Sequence, residues 1–199
     1  MRELLVLMML GLFLGSGTAS ADERIDVGLL LGWTNASNEP AVLHFDRGQT
    51  YQATFAWRFW THERVHLSIE VPFLASPSFA VTVASGPLPK EYASLYLTPS
   101  VRVTLPVRQP VSVFGSVGGG YARYSEAKTH LDGSPNPGQR DTNTGALQFG
   151  GGIDVRALKW LGFRAEIRDV YTGARKFSIP TPGVGVHNVA TSGGFVLHF

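Results

Sequence analysis

The sharpest candidate chemistry in this chain is His62-Glu63-Arg64-Val65-His66, which satisfies H-E-x-x-H. In that pattern two histidines hold zinc and the glutamate serves as general base. The chemistry needs a helix, where residues i and i+4 share one face. The surrounding "ERVHLSIEVPF" instead alternates apolar and polar residues as a strand does. On a strand the two histidines lie about 13 Å apart, four steps of roughly 3.3 Å. Zinc takes its nitrogens at about 2.0–2.1 Å, so the motif is expected to be a coincidence. His130, Asp132, Ser134 and His187 have the types of a nucleophile–base–acid triad, but their spacing gives no reason for them to meet. The runs Gly118–Gly120 and Gly150–Gly152 are followed by neither G-K-[ST] nor a helix start, which excludes a phosphate cradle. Glycine there is expected to let strands bend and backbones approach closely. No catalytic residue, cofactor or metal is expected.

The elements that must position these residues are strands. Eight segments place an apolar residue at every second position: Ile25 to Trp33, Tyr51 to Phe59, Val65 to Phe73, Leu95 to Leu105, Val111 to Tyr121, Leu147 to Val155, Leu161 to Ile167 and Val189 to Phe199. All but Leu161 to Ile167 repeat over about nine to eleven residues, the length of a tilted strand crossing a bilayer. The connections 61–63, 106–110 and 157–159 are tight, whereas 35–47, 75–93, 125–143 and 172–187 are long and polar. Short turns on one side and long loops on the other predict an all-β, eight-stranded, antiparallel up-and-down transmembrane barrel. Within the loop at 75–93, "FAVTVAS" is expected to extend the strands beyond the membrane.

Bulk properties fit an exported protein. Of 199 residues, the first 21 have the layout of a cleaved secretory signal: Arg2, an apolar run from Leu4 to Leu14, then Ala19-Ser20-Ala21. The barrel domain is expected over residues 22–199. There is no cysteine, so the fold stands without disulfides. A net charge of +2 is too small to argue for nucleic acid.

Charge placement decides which face is inside. The polar parity carries Asp26, Arg58, Glu70, Arg102, Asp154, Arg156, Arg164, Glu166 and Arg168, with no lysine among them. Arginine's planar fork suits paired carboxylates in a confined space. An eight-stranded barrel has room for little beyond its own side chains, so these residues are expected to form a structural plug of lumenal charge pairs. The apolar parity is nearly free of charge until its loop-side ends, where Asp169 and Arg123 sit. Trp33, Tyr51, Tyr121 and Tyr171 gather toward the loops, and Trp57, Trp60, Trp160 and Phe199 toward the turns, as two interfacial girdles. Phe195, Leu197 and Phe199 are expected to face lipid on the strand that closes the sheet.

Segments such as "LYLTPSVRVTL", "FGSVGGGYARY", "GGGIDVRALKWLGFRAEIRDVYTG" and "HNVATSGGFVLHF" make most of residues 22–199 resemble the small eight-stranded outer-membrane barrels of Gram-negative bacteria, the OmpA-like and OmpX-like group. The resemblance implies an outer-membrane location and contact with outer-membrane lipid or lipopolysaccharide. It also implies that Phe195, Leu197 and Phe199 provide the strand signal read by the barrel-assembly machinery. His66-x-Ser68 resembles the spacing in outer-membrane lipid A deacylases, but on a strand the pair points to the lumen near the turns rather than to lipid. The expected role is structural or interactive: a monomeric, non-enzymatic anchor displaying four extracellular loops to a partner the sequence does not name. The alternatives are a narrow channel for ions or small solutes and a soluble secreted ligand-binding barrel.

Overall fold

The computed structural model describes residues 24–36, 43–45, 47–83, 91–129, 132–138, 141–173 and 185–199. The expected signal segment lies outside the described residues, as does His130.

The described residues form ten strands: β1 (Ile25–Ala36), β2 (Leu43–Phe45), β3 (Gly48–His62), β4 (Val65–Val83), β5 (Glu91–Leu97), β6 (Ser100–Arg108), β7 (Val111–Glu126), β8 (Asp141–Arg156), β9 (Leu161–Thr172) and β10 (Val186–His198). They form eight barrel staves, because β5 and β6 are successive halves of one stave and β2 is a short addition to β4. Every pairing is antiparallel. The expected fourth strand is divided at Thr98–Pro99 because proline has no N–H to give to a ladder. The Thr98 amide donates instead to Pro72 O (3.3 Å), and Pro99 O accepts from Gly119 N (3.1 Å).

Closure is direct. β1 and β10 pair from Asp26↔His198 to Ala36↔Asn188, and Ile25 and Phe199 exchange backbone hydrogen bonds of 3.0 and 2.8 Å. The barrel wall therefore has no open edge, the condition hydrocarbon imposes on any β structure that crosses it.

Side chains alternate across this wall with the opposite sense to a soluble protein. Leu29, Leu31, Val117, Leu147, Phe149, Ile167 and Phe195 point outward and are half or more exposed, while Glu70, Arg102, Arg168 and Gln148 are buried. All eight girdle residues, Trp33, Tyr51, Tyr121, Tyr171, Trp57, Trp60, Trp160 and Phe199, are exposed at the two ends of this apolar band. Burial scales with apolar area removed from water, and this molecule leaves its apolar area outside. Such an exterior requires a lipid or detergent phase.

Close backbone approach explains the glycines. A Cβ on Gly120 would lie 2.1 Å from Leu97 O, and one on Gly194 2.1 Å from Leu29 O. Only glycine allows the strands to coil this tightly at those points.

The staves also run past the eight alternating segments on the loop side. β4 runs to Val83, so the part of "FAVTVAS" up to Val83 continues the strand, and β5 resumes at Glu91. An irregularity between Ser76 and Phe79 shifts the register against β5. That shift turns Phe79, an odd-numbered residue, from the outward parity into the buried interior.

Candidate functional site

The barrel interior has two levels, and the turn-side level is ionic. Glu70, on β4, is its hub: Arg168 Nη2 donates to its Oε2 at 3.0 Å and Arg164 Nη1 to its Oε1 at 3.4 Å, with Arg102 Nη1 3.7 Å from Oε1. Arg164 also binds Asp154 in bidentate fashion, Nε to Oδ1 at 2.7 Å and Nη2 to Oδ2 at 2.9 Å. Arg102 pairs closely with Asp154, and Arg168 with Glu166. Asp26 lies 3.8 Å from Arg102 and bonds His198 Nδ1 at 2.8 Å. Four carboxylates thus face three guanidiniums, and His198 is set against the carboxylate in excess. The Arg102 and Arg164 guanidiniums also cover the Phe114 ring, 4.1 and 4.8 Å from its centroid, a contact worth most where water is excluded.

A layer of neutral polar groups completes the lower level. Gln148 accepts from Arg168 Nη1 at 3.2 Å and donates to Ser116 at 3.0 Å, while Gln52 donates to Glu166 and accepts from Ser192 at 2.9 Å. Buried charge is tolerated best when paired and hydrogen-bonded, and this shell supplies further partners to Arg168 and Glu166.

The loop-side level is aromatic and hydroxylic. Phe79 stacks on Tyr92 with centroids 4.6 Å apart, and Tyr96 meets Tyr124 edge-on at 5.9 Å. Tyr124 Oη bonds Thr172 at 2.8 Å and accepts from Asn188 Nδ2 at 3.1 Å. Thr34, Thr50 and Ser76 form a hydroxyl chain with steps of 2.6 and 2.8 Å. Ala122, Leu74 and Val170 pack among these groups.

Of the nine charged residues expected in the lumen, the structure brings together Asp26, Glu70, Arg102, Asp154, Arg164, Glu166 and Arg168. Arg58 and Arg156 correct the expectation. Arg58 is only half-buried, at an irregularity between Arg58 and Trp60, and Arg156 is exposed at the end of β8. Both belong to the turn-side rim, outside the buried cluster. His198, Gln52, Gln148, Phe114, Tyr92, Tyr96 and Tyr124 went unremarked as interior partners, although each shares the even parity of the charged residues. Phe79 breaks that parity and carries no such signal.

The catalytic candidates resolve differently. H-E-x-x-H does not lie on one strand, as expected, but straddles a hairpin. His62 ends β3, Glu63 sits in the turn with φ 47°, and His66 lies on β4 opposite Thr61. His62 stacks on Trp60, and His66 Nδ1 lies 3.2 Å from Thr61 Oγ1. Ser68 is buried on the lumenal face. Asp132 accepts from the Ser134 amide at 2.9 Å and hydroxyl at 2.6 Å, whereas His187 pairs with Asp169. Among the described residues no group of three or more His, Asp or Glu side chains is arranged to hold a metal ion.

A closed eight-stranded barrel with a polar interior and an apolar, girdled exterior is the fold of the small outer-membrane proteins of Gram-negative bacteria. Neisserial surface protein A has it, with a TM-score of 0.60 at 14% identity over 88% of this chain and 97% of that one. The attachment invasion locus protein Ail of Yersinia pestis also has it, with a TM-score of 0.54 at 10% identity over 88% of this chain and 99% of that one. No protein-family model matches the sequence, and no curated protein matches it.

Proposed function

We propose that the protein is a plugged, non-enzymatic anchor of the bacterial outer membrane that presents its long connections outside the cell. The observation that carries this reading is the filled interior. An ionic layer around Glu70 and an aromatic layer around Tyr124 occupy successive levels of the same lumen, and Arg102, Arg168, Tyr96 and Tyr124 are fully buried. The exposed apolar band supports membrane residence and weighs against a soluble secreted ligand-binding barrel. Tight turns at the chain-terminal end set that side in the periplasm and the connections at 35–47, 75–93, 125–143 and 172–187 outside, following export on the segment 1–21.

In this reading Phe195, Leu197 and Phe199 face lipid and form the strand that the barrel-assembly machinery engages. The surroundings are outer-membrane lipid and lipopolysaccharide, the working form is a monomer, and the partner of the loops is extracellular. The narrow-channel alternative is decided in planar bilayers. The plugged reading predicts no discrete conductance steps from the purified protein, and regular steps above the detergent control would overturn it.

A further inference from the structure

The turn-side mouth of the lumen carries positive charge that the buried network does not use. The Arg58 amide donates to Arg24 O at 2.7 Å, extending the ladder that pairs Ile25 with Trp57. Arg24 and Arg58 are therefore directly opposed on neighbouring strands. Both take the lumenal face, because Arg58 is also opposed to the buried Ser68. Like charges directly opposite one another destabilise a sheet. Arg58 is half-buried and has no ion pair among the described residues.

A third guanidinium comes from β8. Arg156 is opposed to Gly162, on which a Cβ would lie 2.9 Å from His198 Nε2, so this position also faces the lumen. Arg102 reaches both Asp26 and Asp154, which puts those two carboxylates at one level. Arg24 and Arg156 stand two residues nearer the turns along the same strands, two steps of roughly 3.3 Å. The mouth is thus a layer of arginines over two carboxylates that Arg102, Arg164 and His198 already engage.

Two opposed guanidiniums are balanced by one doubly charged oxyanion. Arginine's planar fork takes phosphate oxygens two at a time, and a phosphate group near neutral pH carries a charge of about −1.5 to −2. A lone carboxylate would leave one guanidinium uncompensated. Because these side chains face the lumen and not the outward wall, the anion reaches them from water through the mouth. We propose that the turn-side mouth binds a soluble phosphate group between Arg24 and Arg58, with Arg156 as a third contact, so that the anion caps the plug. The site rests on the barrel's interior alone, and only its placement in the periplasm rests on the orientation proposed above.

The test titrates the full barrel, folded in an uncharged maltoside detergent, with inorganic phosphate by calorimetry, at constant ionic strength set with sodium chloride. One saturable site is expected, and Arg58→Gln and Arg24→Gln should each weaken it at least tenfold. Arg58 lies outside the buried cluster, so its variant is expected to fold. Arg108→Gln, at the same end but opposed to Val111 on the outward face, should leave the affinity unchanged. No saturable binding by the wild type, or equal weakening by Arg108→Gln, would overturn the proposal, the second by reducing the site to general attraction between charges. Phosphatidylglycerol added to the micelles at one molecule per barrel should not displace the phosphate. Displacement would overturn the soluble ligand in favour of a lipid headgroup. The SDS-resistant, heat-modifiable form is measured on the same samples. Its absence from the wild-type protein would sink the closed-barrel reading itself, whereas its presence without phosphate binding would sink the mouth site alone.

Discussion

Replacing Glu70 with glutamine should be the most damaging single-atom-scale change in the interior. The carboxylate is fully buried and faces Arg168 at 3.0 Å, Arg164 at 3.4 Å and Arg102 at 3.7 Å. Glutamine keeps the shape and one acceptor oxygen, so the packing term is small and the loss is electrostatic. Arg164 retains Asp154, and Arg168 retains Glu166. Arg102 retains Asp154, yet all three guanidiniums lose their shared counter-charge. Breaking a buried pair by removing one partner costs about 3–5 kcal/mol, and the surviving pairs place Glu70→Gln at the lower end, about 3 kcal/mol. That corresponds to roughly a hundredfold fall in the folded-to-unfolded ratio. Urea unfolding of barrels folded into vesicles, followed by tryptophan fluorescence and by the SDS-resistant band, measures it. Arg58→Gln, at the rim and outside the cluster, is the control and should shift stability by less than about 0.5 kcal/mol. If Glu70→Gln were as mild as Arg58→Gln, the charge network would not hold the interior together and the reasoning would fail.

Two further outcomes follow from other parts of the molecule. Gly120→Ala places a Cβ 2.1 Å from Leu97 O, so it should cost about 1–3 kcal/mol by overpacking and lower the yield of SDS-resistant barrel; Gly115→Ala, in open space, should not. Beyond the loop-side girdle, the Arg123 guanidinium hydrogen-bonds Asp141 at 2.6 Å and holds its carboxyl below the ordinary aspartate value. A depressed folded-state value means the contact stabilises above the ordinary pKa and is lost as pH falls through the lowered one. A carboxyl-carbon NMR titration should therefore show Asp141 protonating below 3.8, and Arg123→Gln should return it toward that value. An unchanged titration in the variant would show that the pair does not persist in solution.

Much of this fold is legible from period-two alternation alone, because every stave separates two environments of opposite polarity. Outward Leu29, Val117 and Phe149 and inward Glu70, Arg102 and Arg168 follow directly from parity once charge is taken as the marker of the inside. What parity does not carry is any event that shifts it. The irregularity before Phe79 sends an aromatic inward from an outward-reading position, and Pro99 cuts one stave into two strands by removing a donor. Parity also says nothing of depth. Arg58 and Arg156 read the same way as Arg164, yet they lie at the rim, so only the three-dimensional level along the stave separates a buried guanidinium from a solvated one. His198 is hidden for a different reason: its partner Asp26 lies on β1, which only closure brings beside β10. The hairpin placement of His62 and His66 depended on where the turn fell, a matter of two residues.

The measurement that tests the central claim most directly is semi-native gel electrophoresis of the membrane fraction, with and without boiling. A closed barrel with its apolar band in lipid should fractionate with the outer membrane, resist SDS unheated, and change mobility on boiling. A protein that remained in the soluble fraction and migrated identically in both lanes would contradict the account. The outward Leu, Phe and Trp side chains would then have to be covered by something other than lipid.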